Sequence, residues 1–365
     1  MSPPFIFDVH LDLSLNAIEW NRDLRLPIAE IRRQEAHLND KPGRARGTVT
    51  LPEMRRARIG LCVATQLARV EHNAWSPVFG WRSPQQAWAM TQAQLAWYQA
   101  MEEAGEMVQI RDAAALEAHL AAWFAADEAA TATLPVGYIL SLEGADSLVT
   151  LQHLERAWAN GLRAIGPAHY GPGVYAQGTD TTGGFNARGR DLLREIDRLG
   201  MILDVTHLSD ECFYEALELF SGPLWASHHN ARALVPHQRQ LSDDMFLHLV
   251  ERGAVAGVAL DAWMMVPGWE RGKTTPQSAG LFLTTLVEHI DHYCQLAGNA
   301  RHAGLGTDLD GCFGNEQTPQ DLDTIADLQR LPDLLAARGY SADDIAGILH
   351  GNFLRCLREA WKSPA

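Results

Sequence analysis

Two patterns of apolar and polar positions alternate along the chain. Short apolar runs rich in β-branched residues are separated by longer amphipathic stretches. The runs are "FIFDVHLD" (5–12), "IGLCVATQL" (59–67), "VGYILSLEG" (136–144), "LRAIGPAHY" (162–170), "MILDVTHLS" (201–209), "LWASHHN" (224–230), "AVAGVALDAW" (254–263) and "HAGLGTDLDG" (302–311). Such runs predict buried strands. Between them, "SPQQAWAMTQAQLAWYQAMEEAG" enters through Ser-Pro and stops at glycine, and "LQHLERAWANG" and "GRDLLREIDRLG" also stop at glycine, as helices do. "SDDMFLHLVERG" opens on an N-cap serine. Strand–helix alternation predicts a parallel sheet. Eight units in 365 residues predict a (β/α)8 TIM barrel formed as a single domain over 1–365, with an open doubly wound sheet as the alternative. Segments 14–50 and 171–187 read as loop insertions at the C-terminal mouth, and 341–361 as a closing helix.

The ends of these runs carry the chemistry. Most finish in a side chain able to ligate metal or move a proton: His10 and Asp12, Glu143, His169, His207, His228, Asp261 and Asp308. The second run ends in the neutral pair Thr65 and Gln66. In a barrel the C-terminal strand ends converge on one mouth, so residues scattered in sequence become one cluster. His10 and Asp12, two apart, share a strand face, and His207 continues the face of Leu203 and Val205. Any one of these alone reads as a hydrogen-bonded structural residue. Together they would be a prohibitive set of unpaired buried ionisable groups, and a divalent cation offsets that cost.

Imidazole and carboxylate without thiolate suit zinc better than manganese or iron. The set exceeds the three protein ligands of one catalytic zinc, which points to two ions with Glu143 as the bridging carboxylate. Rival chemistries lack their signatures: there is no GxSxG, GxxxxGK[ST] or HExxH, and "GLGTDLDG" (304–311) lacks the rest of a dinucleotide fingerprint.

Composition narrows the setting. A net charge of −15 argues against nucleic-acid binding and against an anionic membrane surface. Five scattered cysteines without a CxxC pair read as reduced thiols. With no signal-like N-terminus and no long apolar span, a cytoplasmic location is expected. The Trp-rich stretch "WSPVFGW" (75–81) is a candidate for a homodimer interface or for the core.

The stretches "HLD" (10–12), "SLEG" (141–144), "AHY" (168–170), "DVTHLS" (204–209), "SHHNA" (227–231), "RQLSDD" (239–244) and "GLGTDLDG" occur in order over nearly the whole chain. With them the chain resembles the renal dipeptidase (membrane dipeptidase) family of metal-dependent hydrolases. The resemblance implies a barrel with two Zn2+ ions: His10 and Asp12 on one, His207 and His228 on the other, Glu143 bridging. It further implies that His169 meets the substrate carbonyl, Arg239 clamps the terminal carboxylate and Asp308 transfers the proton. The expected substrate is a dipeptide, including those with a C-terminal D-residue. The first strand departs from the family's His-Asn-Asp-Leu-Pro by reading His10-Leu11-Asp12-Leu13-Ser14, and Trp20, Asn21 and Arg22 follow in a segment able to reshape the pocket.

Some roles stay open. Arg232 rivals Arg239 as clamp, Asp261 fits either the rim or a supporting position, and Asp310 reads as structural. His229 is expected to turn away from the metals. A lactonase, deaminase or acyl-amino-acid hydrolase on the same frame is the alternative activity.

Overall fold

The structure, a computed structural model, describes residues 3–71 and 80–362. The stretch 75–79 of the Trp-rich segment therefore lies outside the described residues. Among the described residues nine strands form: β1 (Ile6–Leu11), β2 (Ile59–Leu67), β3 (Met107–Gln109), β4 (Val136–Glu143), β5 (Leu162–Gly166), β6 (Ile202–Asp204), β7 (Leu224–Trp225), β8 (Ala256–Val258) and β9 (Ala303–Leu305). All pairings between them are parallel. Seven strands make one sheet, ordered β1-β2-β4-β5-β6-β7 with β3 beside β4, and β8 pairs with β9 in a second. The fold is thus an α/β half-barrel of parallel strands rather than one continuous eight-stranded ring.

Two kinds of contact carry the gap between the sheets. An isolated bridge joins Ala226 to Ala256, extending β7 toward β8. At the other edge the Asp308 amide donates to the His10 carbonyl at 3.2 Å. There the buried Asp8 carboxylate also accepts from the Thr307 amide (2.9 Å) and hydroxyl (2.5 Å). Asp204 does the same work between β6 and β7, accepting from the Thr206 and Ser227 amides at 3.0 Å. Buried carboxylates that accept backbone N–H groups hold strand ends where the ladder stops.

The strands end earlier than their apolar runs. β6 stops at Asp204 and His207 adopts a left-handed backbone (φ 69°), so His207 does not extend a strand face. β7 has two residues, and His228 and His229 follow it in irregular chain. Register still aligns the long strands: Leu67 pairs with Glu143 and Glu143 with Gly166, which sets their C-terminal ends on one edge. Gly257 and Gly306 let the β8 and β9 ends close on the Ser227 carbonyl; a Cβ at either would sit within 1.9 Å of that oxygen.

Helices Pro84–Glu103, Leu151–Ala159, Ala187–Arg198 and Asp243–Glu251 occupy the amphipathic stretches. Ser83 and Ser242 cap the first and last through their hydroxyls. Residues 14–50 are more structured than an open loop. Helices Leu13–Glu19 and Ile28–Glu35 lie there, pinned by a buried Arg22–Glu35 ion pair at 2.9 Å. Between residues 171 and 187 the chain carries only isolated bridges before the helix that begins at Ala187. The closing segment is helical from Ala342 to Ala360, with a π turn at Gly347–Gly351.

Candidate active site

The C-terminal strand ends open into a cavity of about 360 Å3. Asp12, Glu143, His169, His207, His228, Arg239, Asp261 and Asp308 line it, and His10 lies within 3.6 Å of Glu143 and 3.8 Å of Asp308. Every site residue expected from sequence is therefore brought to one place.

Glu143 is its centre. Its Oε1 lies 3.0 Å from His207 Nε2 and 3.4 Å from His228 Nε2, and its Oε2 lies 3.6 Å from His10 Nε2. Three sets of ligand atoms are close enough to share an ion: Glu143 with His207 and His228, His10 with Asp12 and Glu143, and His10 with His228 and Asp308. Glu143 belongs to two of them.

The supporting contacts orient these donors. The Thr179 hydroxyl pairs with His207 Nδ1 at 2.9 Å and the Ser227 hydroxyl with His228 Nδ1 at 2.8 Å. Both Nε2 atoms are thereby turned to Glu143, as ligating imidazoles are held by a partner on the other nitrogen. Thr65 donates its hydroxyl to Asp12, so the neutral end of the second run orients a ligand. His10 Nε2 is buried with no hydrogen-bond partner among the described residues.

The electrostatics suit a bound divalent cation. Burial opposes charge on His10, yet Glu143, Asp12 and Asp308 override it and push its pKa up to about 10. Burial, reinforced by Glu143, pushes Asp12 up to about 6. Burial raises Asp308 well above the usual carboxylate range, with Asp12, Glu143 and Asp261 adding to it. Burial would raise Glu143 too, but His10 and His169 hold it well below its ordinary value. Burial and then Arg239 keep His207 neutral, and burial keeps His228 neutral with His10 and Arg239 contributing. Neutral imidazoles and crowded carboxylates are what a divalent ion binds, and an ion would replace the proton that His10 otherwise holds.

Around this cluster, His169 Nε2 lies 3.9 Å from Glu143, and burial lowers its pKa to about 4. Arg239 is 1% exposed; its Nε and Nη1 have no partner among the described residues, and its Nη2 lies 3.4 Å from His207 Nε2. Arg232 is occupied instead, gripping Asp210 through two bonds of 2.7 and 2.8 Å. Asp261 accepts from Gln317 at 2.6 Å on the cavity wall and joins none of the ligand sets. His229 does not line the cavity and joins none either. Four lining residues, Asp180, His207, Asp308 and Cys312, have left-handed backbones; such strain is characteristic of functional sites.

Sequence reading missed Asp8, Thr65 as a partner of Asp12, and Arg69, which also lines the cavity. Asp8 shares the strand parity of His10 and Asp12, and that parity was the available signal.

The sequence profile described as membrane dipeptidase (peptidase family M19) matches residues 2–363. The chain belongs to this family. A protein of Klebsiella pneumoniae encoded in the pqqA 5′ region is 33% identical over 217 residues, 57% of this chain and 76% of that protein. An uncharacterized dipeptidase of Schizosaccharomyces pombe is 31% identical over 62% of this chain and 53% of its own length. The chain thus spans about half of that relative. Among solved structures, a metallopeptidase called dipeptidase AC superposes with a TM-score of 0.77 at 24% identity, covering 99% of this chain and 100% of that one. A metallopeptidase from Rhodobacter sphaeroides, liganded with a phosphinate mimic of L-Ala-D-Ala, gives 0.75 at 24% identity over 99% and 100%. The family's description is that of a dipeptidase, and the two solved metallopeptidases share this chain's fold. Among the described residues, no helix is long and apolar enough to cross a membrane.

Proposed function

We propose that this member of the family hydrolyses dipeptides with two zinc ions, His10 and Asp12 holding one, His207 and His228 the other, and Glu143 both. The observation that carries the reading is the position of Glu143 in two ligand sets at once. Bound zinc would lower the pKa of water toward neutrality and polarise the scissile carbonyl.

The chain's own residues supply the rest. Neutral His169 offers an N–H to the oxygen that gains charge as the carbonyl is attacked. Asp308, on the cavity wall 3.8 Å from His10 Nε2, takes the proton released by the attacking water and hands it to the leaving amine. Arg239, with two nitrogens unpartnered, takes the free carboxylate of the substrate as a two-pronged contact. A clamp this close to the reacting atoms restricts substrates to very short peptides, including those with a C-terminal D-residue. The strand ends needed for this are placed by reading the two sheets as arcs of one (β/α)8 barrel, supported by the Ala226–Ala256 bridge and the Asp308–His10 bond.

The test is a zinc-loaded assay on dipeptides with L- and D-residues at the C-terminal position, beside the same peptides amidated at that end. Free dipeptides should be turned over and amides should not. Arg239→Ala should lose roughly 10^2-fold or more in kcat/KM on the free acids. Turnover confined to lactones, nucleobases or acyl-amino acids would sink the dipeptide assignment.

A further inference from the structure

The cavity holds a cation that this scheme does not use. Arg69 lies two residues past the end of β2, and both Leu67 and Arg69 line the wall. Arg69 is 7% exposed. Its backbone is pinned on both sides. The Arg69 carbonyl accepts from the Trp81 amide at 3.0 Å. The Val70 amide donates to Asp146 Oδ2 at 2.9 Å, and Asp146 Oδ1 accepts from the Val174 amide at 2.7 Å.

The guanidinium is treated differently. Its Nε has no hydrogen-bond partner among the described residues, and Asp146 and Glu71 favour its charge only through the field, against a larger cost of burial. Two other buried arginines use most of their donors within the protein, although Arg58 also leaves its Nε without a partner among the described residues. Arg22 bonds Glu35 twice, Asn16 and the Gly43 carbonyl. Arg58 bonds two carbonyls and Thr131. Arg271, also on the cavity wall, spends a donor on the Cys312 carbonyl. A buried charge without a partner is destabilising, and a ligand that completes it recovers that cost.

Arg69 and Arg239 therefore face one cavity from different elements, the β2 end and the chain beyond β7. A dipeptide with neutral side chains offers only one carboxylate, which Arg239 takes. We propose that Arg69 forms a second carboxylate subsite, so that the preferred substrates are dipeptides bearing an aspartate or glutamate side chain. This rests on the dipeptidase reading. The acidic wall sharpens the requirement: Asp180, Asp261 and Asp308 line the same cavity, and the chain carries −15 overall. An acidic side chain is accepted only where a fixed cation receives it.

The experiment compares kcat/KM of the zinc-loaded enzyme for Ala-Ala, Ala-Asp, Ala-Glu, Asp-Ala, Glu-Ala and Ala-Lys, with L- and D-residues at the second position. One acidic series should exceed Ala-Ala by about tenfold or more, and which series does so tells which side chain meets Arg69. The acidic-to-neutral ratio should fall to near one in Arg69→Met and survive in part in Arg69→Lys. As a readout independent of turnover, free aspartate should raise the unfolding temperature of the wild type more than alanine does, and this difference should vanish in Arg69→Met. If the wild type cleaves Ala-Ala as well as every acidic dipeptide, the subsite is refuted and the dipeptidase reading stands. If no dipeptide is cleaved, the dipeptidase reading itself fails. An acidic preference that persists unchanged in Arg69→Met would also overturn the assignment.

Discussion

The two sides of Glu143 are built from different chemistry. One side is rich in carboxylate: Asp12 and Asp308 face His10, burial raises the pKa of the two carboxylates, and they with Glu143 raise that of His10 against its burial. The other is rich in imidazole: His207 and His228 are kept neutral by burial and by Arg239. Their foundations differ as well. Behind the carboxylate side lies a charged network, in which Asp310 accepts from the Thr48 amide and hydroxyl and the Val49 amide, with Arg22 at 3.5 Å. Behind the imidazole side lies a neutral one. There His289 accepts from the Ala231 amide at 3.1 Å and reaches the Met265 carbonyl at 3.1 Å. On the proposed two-ion reading, one side would recruit its cation by excess negative charge and the other by lone pairs held bare. The two sides should respond differently to substitution and to acid.

Breaking the shared element has the largest expected effect. Glu143→Gln should lower metal content on both sides and reduce turnover by more than about 10^3-fold, read by elemental analysis and kinetics on the same preparation. Next, the imidazole side can be broken alone. His228→Ala should lose about one ion per chain, whereas His229→Ala, on a residue outside every ligand set, should keep both. Equal loss in the two variants would contradict the assignment of His228.

The foundations give smaller effects. Asp310→Asn should destabilise the protein by about 3 kcal/mol in denaturant titration, because buried donors and Arg22 lose a carboxylate acceptor. It should also slow turnover through the Asp308 loop. Finally, burial lowers the His289 pKa to about 4. The neutral ring contributes stability that is intact above pH 6.5. It is lost as pH falls from 6.5 toward 4, because the unfolded chain takes up the proton first. By pH 5 the loss is about 2 kcal/mol. Unfolding free energies measured against pH should show a shallower acid decline in His289→Gln than in the wild type. An unchanged slope would remove His289 from the account.

Periodicity made the eight long runs legible, and each contains a strand. Their ends were not legible, because the last residues leave strand geometry without leaving the core. Leu208, His228 and Leu260 are as buried as the strands before them, and an apolar pattern cannot mark where the ladder stops. The three-residue β3 is too short for any period to register. The helices of 13–35 were hidden by their shortness and, in Ile28–Glu35, by charge, of which Glu35 is buried against Arg22 and Arg44. The ligand residues stood out because strand ends place them together. Arg69 did not, because one arginine after a strand looks like any surface cation until its burial is known.

The stitch between Asp8 and Thr307 spans 299 positions of sequence. The imidazole side, by contrast, is complete within residues 143–228. The set His10, Asp12 and Glu143 needs nothing beyond residue 143, yet the strand that carries two of its members gains this second-edge clasp only when residue 307 has arrived. Closing so long a loop carries an entropic cost that is repaid only when the last strand docks. The first strand should accordingly be clasped on both edges late in folding, after it has paired with β2.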